Sequence, residues 1–213
     1  MSDEKKDSKV KKDVPLQPAQ RGRKRSKEVD KAILKATREL LTEKGYADLT
    51  VNSIIARAGV SSATLYRRWN NLAEVVAAAL GTLGPEPMSI DSGSLDGDLH
   101  ELVLYLGNAL TREDEAGGAW VGTALRVEAG LRRSIDEVFV KPRKEMLAAI
   151  LDRAHQRGEL AAVPDLSDAW SFVSGPIYHR THIRLTPFTP EFAADAALVL
   201  GAGLRALAAQ RKP

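Results

Sequence analysis

The chain contains no cysteine, which excludes a disulfide framework and a thiolate metal site. No stretch approaches the roughly 20 apolar residues that a membrane span needs. The first residues are rich in Lys and Asp and hold no apolar core, so no secretory leader is expected. These absences predict a soluble, cytoplasmic protein with no membrane partner. Nowhere do apolar and polar residues alternate with the period of a half-buried strand, and no internal repeat is visible. Catalytic signatures are missing as well: there is no nucleophile elbow, no glycine-rich phosphate loop and no cysteine nucleophile. Histidines are scarce, being only His100, His155, His179 and His182. His179 and His182 share a helix face at a spacing that can hold a metal. No carboxylate pair is placed to complete that site, and Tyr178, Arg180 and Arg184 around it suit a polar pocket wall or a dimer edge better. Neither an enzyme nor a cofactor or metal is expected.

The 213 residues leave room for one large or two small cores. The formal net charge of +3 hides an asymmetry. Residues 1–80 hold 17 Lys and Arg against 10 Asp and Glu, whereas the remainder holds 14 against 18. A basic half beside an acidic one points to a phosphate-binding module at the N-terminal end. A Lys-rich tail contributes to this balance, but Arg57, Arg67 and Arg68 fall inside patterned sequence.

Residues 1–25 show no periodicity and read as a disordered arm. Its end, Arg21-Gly22-Arg23-Lys24-Arg25, has two readings. One places Arg21, Arg23 and Arg25 in a narrow minor groove, where the negative potential is strongest. The other is a solvated charge run. A first helix is predicted from about Lys27 to Lys44, with Val29, Ile33, Ala36 and Leu40 on one stripe, closed by Gly45 with Tyr46 packing back.

The densest signal is TVNSIIARAGVSSATLYRRW, residues 50–69. Thr50 can cap a helix whose apolar stripe is Val51, Ile54, Ile55 and Ala58. Gly59 supplies the left-handed position of a sharp turn, and Val60 plugs the corner. Ser61 or Ser62 can cap a second helix, running to about Trp69, with Leu65 and Trp69 inward. Thr64, Tyr66, Arg67 and Arg68 are then left on the outer surface. Hydroxyls and paired arginines on a short helix beside a supporting helix describe a helix-turn-helix, whose second helix enters the DNA major groove. A fourth helix follows from Asn71, where Glu74 gives a capping box.

Gly45-Tyr46, Leu49-Thr50, the IARAGVSSATLYRRW run and the capped helix at Asn71 together resemble the tetracycline-repressor (TetR) family of bacterial regulators. The resemblance is close over roughly Ser26 to Leu80; beyond it only the general layout matches. It implies a dimer that binds a palindromic double-stranded operator, with Thr50 and Tyr66 on phosphates. It also implies that a small-molecule effector releases the DNA, and that the last two helices form a four-helix interface with a second copy. One departure stands out. Where the family often carries a lysine near the start of the fourth helix, facing a phosphate, this chain has Leu72.

Past the motif, Gly84–Gly97 reads as a loop. Helices are then predicted over about Leu95–Arg112, Gly118–Gly130, Leu131–Arg157, Leu166–Ile183 and Pro190–Gln210, with Pro142 and Pro176 expected to kink or break theirs. The last helix is crowded with Ala and Gly, and Phe192, Val199, Leu200, Leu204 and Leu207 give it bulk. That composition fits close helix approach, either within the chain or between two copies. The large aromatics of this half are core candidates and, by the resemblance, pocket candidates. Leu104, Trp120, Leu125, Phe139, Met146 and Trp170 are the expected effector wall, an apolar set suited to a hydrophobic or aromatic ligand.

The expected fold class is therefore all-α, of about nine helices. A basic arm (1–25) leads into an N-terminal helix-turn-helix DNA-binding domain of three helices (26–80), followed by a helical effector-binding and dimerisation domain (81–213). The expected function is that of a DNA-binding transcription regulator, most simply a repressor. An architectural DNA-binding protein without effector is the alternative, and it leaves the acidic second half without a role. An all-helical enzyme leaves the helix-turn-helix without one.

Overall fold

The computed structural model describes residues 18–82, 87–111 and 129–210, with side chains for 26–82, 87–109 and 129–210. Every element among them is helical. In chain order they are α1 (Pro18–Lys44), α2 (Val51–Ala58), α3 (Ser62–Tyr66), α4 (Leu72–Gly81), α5 (Leu95–Thr111) and α6 (Ala129–Ile135). A π-helical turn at Asp136–Val140 leads into α7 (Lys141–Gln156). Then come α8 (Leu166–Tyr178), a second π-helical turn (His179–Ile183) and α9 (Pro190–Gln210).

α1 begins at Pro18, well before the predicted Lys27. Proline fits the first turn of a helix, whose N–H groups lack partners anyway. Ala, Gln, Arg and Lys then favour the helix without supplying an apolar stripe, so periodicity could not reveal it. The backbone of Arg21, Arg23 and Arg25 thus belongs to α1 rather than to an extended arm, while their side chains lie outside the described set.

Two apolar clusters organise the fold. The first joins Ile33, Leu40 and Leu41 of α1, Leu49, Ile54 of α2, Leu65 of α3, and Ala73, Val75, Val76, Ala77 and Leu80 of α4. It does not close within residues 26–80: Leu131 and Ile135 of α6 are buried in it, with Phe139 and Val140 of the π turn packed alongside. The second unites α5, α7, α8 and α9 around Leu99, Leu102, Leu147, Ile150, Val173, Ala193 and Leu204. α6, the π turn and α7 form one unbroken helical rod over residues 129–156. That rod enters the first core at one end and the second at the other.

Both prolines sit beside the π turns. Pro142 lies in the first turn of α7, directly after Asp136–Val140. Pro176 lies inside α8, just before His179–Ile183. A proline cannot donate its backbone N–H and its ring crowds the carbonyl four residues back. The neighbouring bonds adjust to the longer π spacing: Lys141 N–H reaches the Asp136 carbonyl, and Arg184 N–H the His179 carbonyl. The expected breaks are thus taken up as bulges within continuous helices.

α9, at 21 residues, is long and apolar enough by length and composition to cross a membrane, which corrects the expectation that no such stretch exists. Its residues Ala193, Ala196, Ala197, Leu200, Gly201, Leu204 and Ala208 are buried in the second core. An ionic cluster ties the ends of this core together. Arg205 makes a bidentate pair with Asp96 at 2.8 and 2.9 Å. Glu159 accepts from the Leu95 N–H at 2.8 Å and pairs with Arg157. Gly201 permits the approach, since a Cβ there would stand 2.4 Å from an Asp96 oxygen.

Candidate nucleic-acid interface

α2 starts where Thr50 turns from extended backbone and accepts a bond from the Ser53 N–H at 3.1 Å, while Ser53 Oγ accepts from the Thr50 N–H at 3.2 Å. This reciprocal cap sets the angle at which α2 leaves α1. Gly59 adopts φ 65°, a conformation open to glycine, and its N–H closes on the Ile55 carbonyl. Ser61 caps α3 by accepting from the Thr64 N–H at 3.2 Å, and its hydroxyl also meets Thr64 Oγ1 at 2.9 Å. Leu65 is fully buried and Trp69 half-buried against the same core, so α3 is held by one face.

On the opposite face, Thr50, Ser61, Ser62, Tyr66 and Arg67 are exposed, with Tyr66 at 51%. Thr64 is half-buried, and its hydroxyl bonds to Ser61. Arg68 corrects the sequence expectation. The helix ends at Tyr66, Arg67 and Arg68 form a turn, and Arg68 folds back onto α1. Its Nε donates to Asp30, Nη1 to the Thr64 carbonyl at 2.8 Å and Nη2 to Ser26 Oγ at 3.1 Å. Helical periodicity puts residues 67 and 68 on one outer surface, but the fold spends one arginine on anchoring and leaves the other outward. Arg57 is likewise engaged: it pairs bidentately with Glu43 at 2.8 Å, and that partner raises its pKa above the ordinary arginine value while lowering that of Glu43.

α4 is capped by Asn71, whose Oδ1 accepts from the Glu74 N–H at 2.9 Å. Glu74 reaches one residue further back than a standard capping box, accepting from the Asn70 N–H at 2.8 Å, and this bond holds its carboxyl below the usual range. Leu72, at the position of the family lysine, packs against the head core. α4 stops at Gly81 instead of continuing into the second core, and it meets that half of the protein sideways, through α6 and the π turn.

The expected effector residues scatter. Leu104, Met146 and Trp170 border the second core, whereas Phe139 packs on the first. Trp120 and Leu125 lie outside the described residues. His182 is occupied by packing: its ring stacks on Tyr178 at 4.6 Å between centroids and its Nδ1 lies 2.5 Å from Thr181 Oγ1. Among the described residues, no group of three or more His, Asp or Glu could hold a metal.

The bulky residues of the last helix divide between two faces. Val199 is exposed, with Leu198 beside it and Phe172 on α8, while Leu200 and Leu204 are buried inside the chain; the sequence left open which of them face inward. Arg143, within the run Lys141-Pro142-Arg143-Lys144, is 1% exposed, a burial that this charged stretch gave no sign of.

A capped supporting helix, a glycine turn and a short helix with an exposed polar face define a helix-turn-helix head on an all-helical body. Comparison with known proteins agrees. Residues 33–79 match the model of bacterial regulatory proteins of the tetR family, and residues 89–199 match the tetracyclin repressor-like C-terminal domain. The HTH-type transcriptional regulator YdeS of Bacillus subtilis (strain 168) is 30% identical over 90% of this chain and 97% of its own length. Rv1556 of Mycobacterium tuberculosis (strain H37Rv), also an HTH-type transcriptional regulator, is 32% identical over 75% of this chain and 79% of its own. The crystal structure of FadR from Bacillus subtilis, in complex with stearoyl-CoA, shares the fold with a TM-score of 0.60 at 18% identity, covering 81% of this chain and 98% of that one. The chain belongs to the tetR family and is a helix-turn-helix, DNA-binding transcriptional regulator.

Proposed function

We propose that the protein is a repressor that binds a palindromic operator as a homodimer in the cytoplasm and leaves it when a small molecule binds the helical body. The observation that carries this reading is the exposed face of α3, where Ser62, Tyr66 and Arg67 stand clear of the core on a helix fixed by Leu65. Arg67 is the candidate for base contact, since arginine can address a guanine edge with two donors. Thr50, Ser61 and Tyr66 are the candidates for phosphate contact, and Arg21, Arg23 and Arg25 those for the flanking groove. Thr64 and Arg68 act one step behind, by holding α3.

A single α3 can read only a short half-site, so two heads about 34–36 Å apart are required. Phe172 of α8 and Leu198 and Val199 of α9, exposed at 50%, 70% and 70%, supply an apolar face for pairing. Small residues beside them, Ala194, Ala202, Gly203 and Ala206, let two helices approach closely. Leu104, Met146 and Trp170, on the body core, are the candidates for the effector site; Phe139 packs on the head core, and Trp120 and Leu125 belong to the segment outside the described residues. That a relative in fold holds stearoyl-CoA supports a small molecule within this body.

Footprinting across a salt series tests the reading. A regulator protects a short two-fold symmetric site, with log K falling by about 0.9 per phosphate contact for each unit of log salt. Broad protection without sequence preference would favour the architectural alternative.

A further inference from the structure

Among the described residues, Arg143 is the fully buried arginine, and it has gained no carboxylate; half-buried Arg180 also lacks one, but it donates to the Pro187 carbonyl and lies over the Phe192 ring. Arg153, Arg157 and Arg205 all pair with acids. Arg143 is 1% exposed and lies in the first turn of α7, against both cores. Its guanidinium carbon stands 3.8 Å from the centroid of the Phe139 ring and 5.6 Å from that of Tyr105. Nη1 donates to the Phe139 carbonyl at 2.8 Å, and Nε is buried with no acceptor among the described residues. Burial pulls its pKa below the ordinary arginine value, yet a guanidinium remains a cation at any physiological pH.

A buried cation without a counterion destabilises a fold, and an apolar side chain of the same size is usually tolerated as well or better. Two ring faces soften that cost; they do not satisfy the planar fork of N–H donors, which matches a carboxylate or phosphate oxygen pair. Met146, one turn further along α7, and the two rings give the surroundings an apolar character.

We propose that Arg143 anchors the anionic group of the effector, which is therefore an amphiphilic acid with an apolar or aromatic body rather than a neutral hydrophobe. The inference rests on the effector-released regulator reading and names the ligand class of that site. It also supplies a route to the DNA. Arg143 holds the Phe139 carbonyl and ring, Phe139 packs on the head core, and its neighbour Val138 abuts Gly81 at the end of α4. An anion drawing the guanidinium away from Phe139 changes the packing of the π turn against α4.

The test uses the full chain with three acids, benzoate, 2-naphthoate and decanoate, each beside its neutral alcohol. Ligand affinity is followed by calorimetry and thermal shift, and DNA release by anisotropy of a labelled operator. At least one acid should bind about tenfold or more tightly than its alcohol and weaken operator binding. R143M should melt no lower than the parent and bind acid and alcohol alike, and R143K should keep part of the preference. Equal binding of acid and alcohol by the parent overturns the anion site, as does a preference unchanged in R143M. A sharp fall in melting temperature in both R143M and R143Q would mark Arg143 as a structural prop and overturn it too. Operator binding by the unliganded parent is scored separately. Its failure beside intact acid binding overturns the regulator reading and leaves the anion site standing.

Discussion

Gly81 and Val138 stand so close that a Cβ on the glycine would lie 2.5 Å from Val138 Cγ1. α4 ends against the π turn at this point, so the head and the rod of residues 129–156 meet without a spacer. Gly81→Ala should therefore couple strongly to Val138→Ala. In the parent background the alanine is overpacked, a cost of about 1–3 kcal/mol. In the Val138→Ala background that cost vanishes and the helix gains up to about 1 kcal/mol from replacing glycine. A double-mutant cycle by urea denaturation checks this; a coupling below about 0.5 kcal/mol would mean that α4 and the π turn slip past one another freely.

Arg67 and Arg68 should fail in different ways. Arg67→Ala should leave stability unchanged and weaken operator binding by about 1–3 kcal/mol, relaxing specificity at one position. Arg68→Ala removes three bonds to Asp30, Thr64 and Ser26 and should cost about 1–3 kcal/mol of folding stability. Parallel denaturation and anisotropy titrations separate the two; equal melting of both variants would contradict the anchoring assigned to Arg68.

Charge on α9 should discriminate between its two faces. Leu198→Glu or Val199→Glu sits at an exposed position and should give folded monomers by sedimentation. Leu204→Glu, at 1% exposure, buries an unpaired charge and should not yield folded chain. If Leu198→Glu and Val199→Glu both stay dimeric, the copies pair through another surface.

Acid should loosen the second π turn. Burial lowers the pKa of His182, against a backbone bond that raises it. The folded chain therefore prefers the neutral ring. Its stabilising contribution is complete above the ordinary value of 6.5 and is lost as the pH falls towards the folded pKa, because the unfolded chain takes up the proton first. His182→Gln should flatten the dependence of melting temperature on pH in that window. A slope identical to the parent's would assign the acid sensitivity to other groups.

Much of the head is legible in the sequence because its signals are local. Thr50, Gly59, Ser61 and Asn71 each act within four residues, and each occupies the cap or turn that its chemistry predicts. Arg68 and Leu200 escape for the opposite reason. Their fates depend on partners far away in the chain, Asp30 on α1 for one and the shared core of α5, α7, α8 and α9 for the other. Helical periodicity says that a residue lies on a face; it does not say what covers that face. Pro18 was hidden because a helix without an apolar stripe gives no period to detect.

The π turn at Asp136–Val140 sets the phase of the rod. A helix advances about 100° per residue, and a π turn carries one residue more than an α turn. Leu131 and Ile135 point into the head core, and Met146, Leu147 and Ile150 into the body core. Deleting one residue from the turn would restore a straight α-helix and rotate one set by about 100° relative to the other. The two cores could then no longer both be filled by the same rod. The extra residue thus works as an angular offset between the helix-turn-helix half and the helical body, fixed by the count of residues rather than by any one side chain.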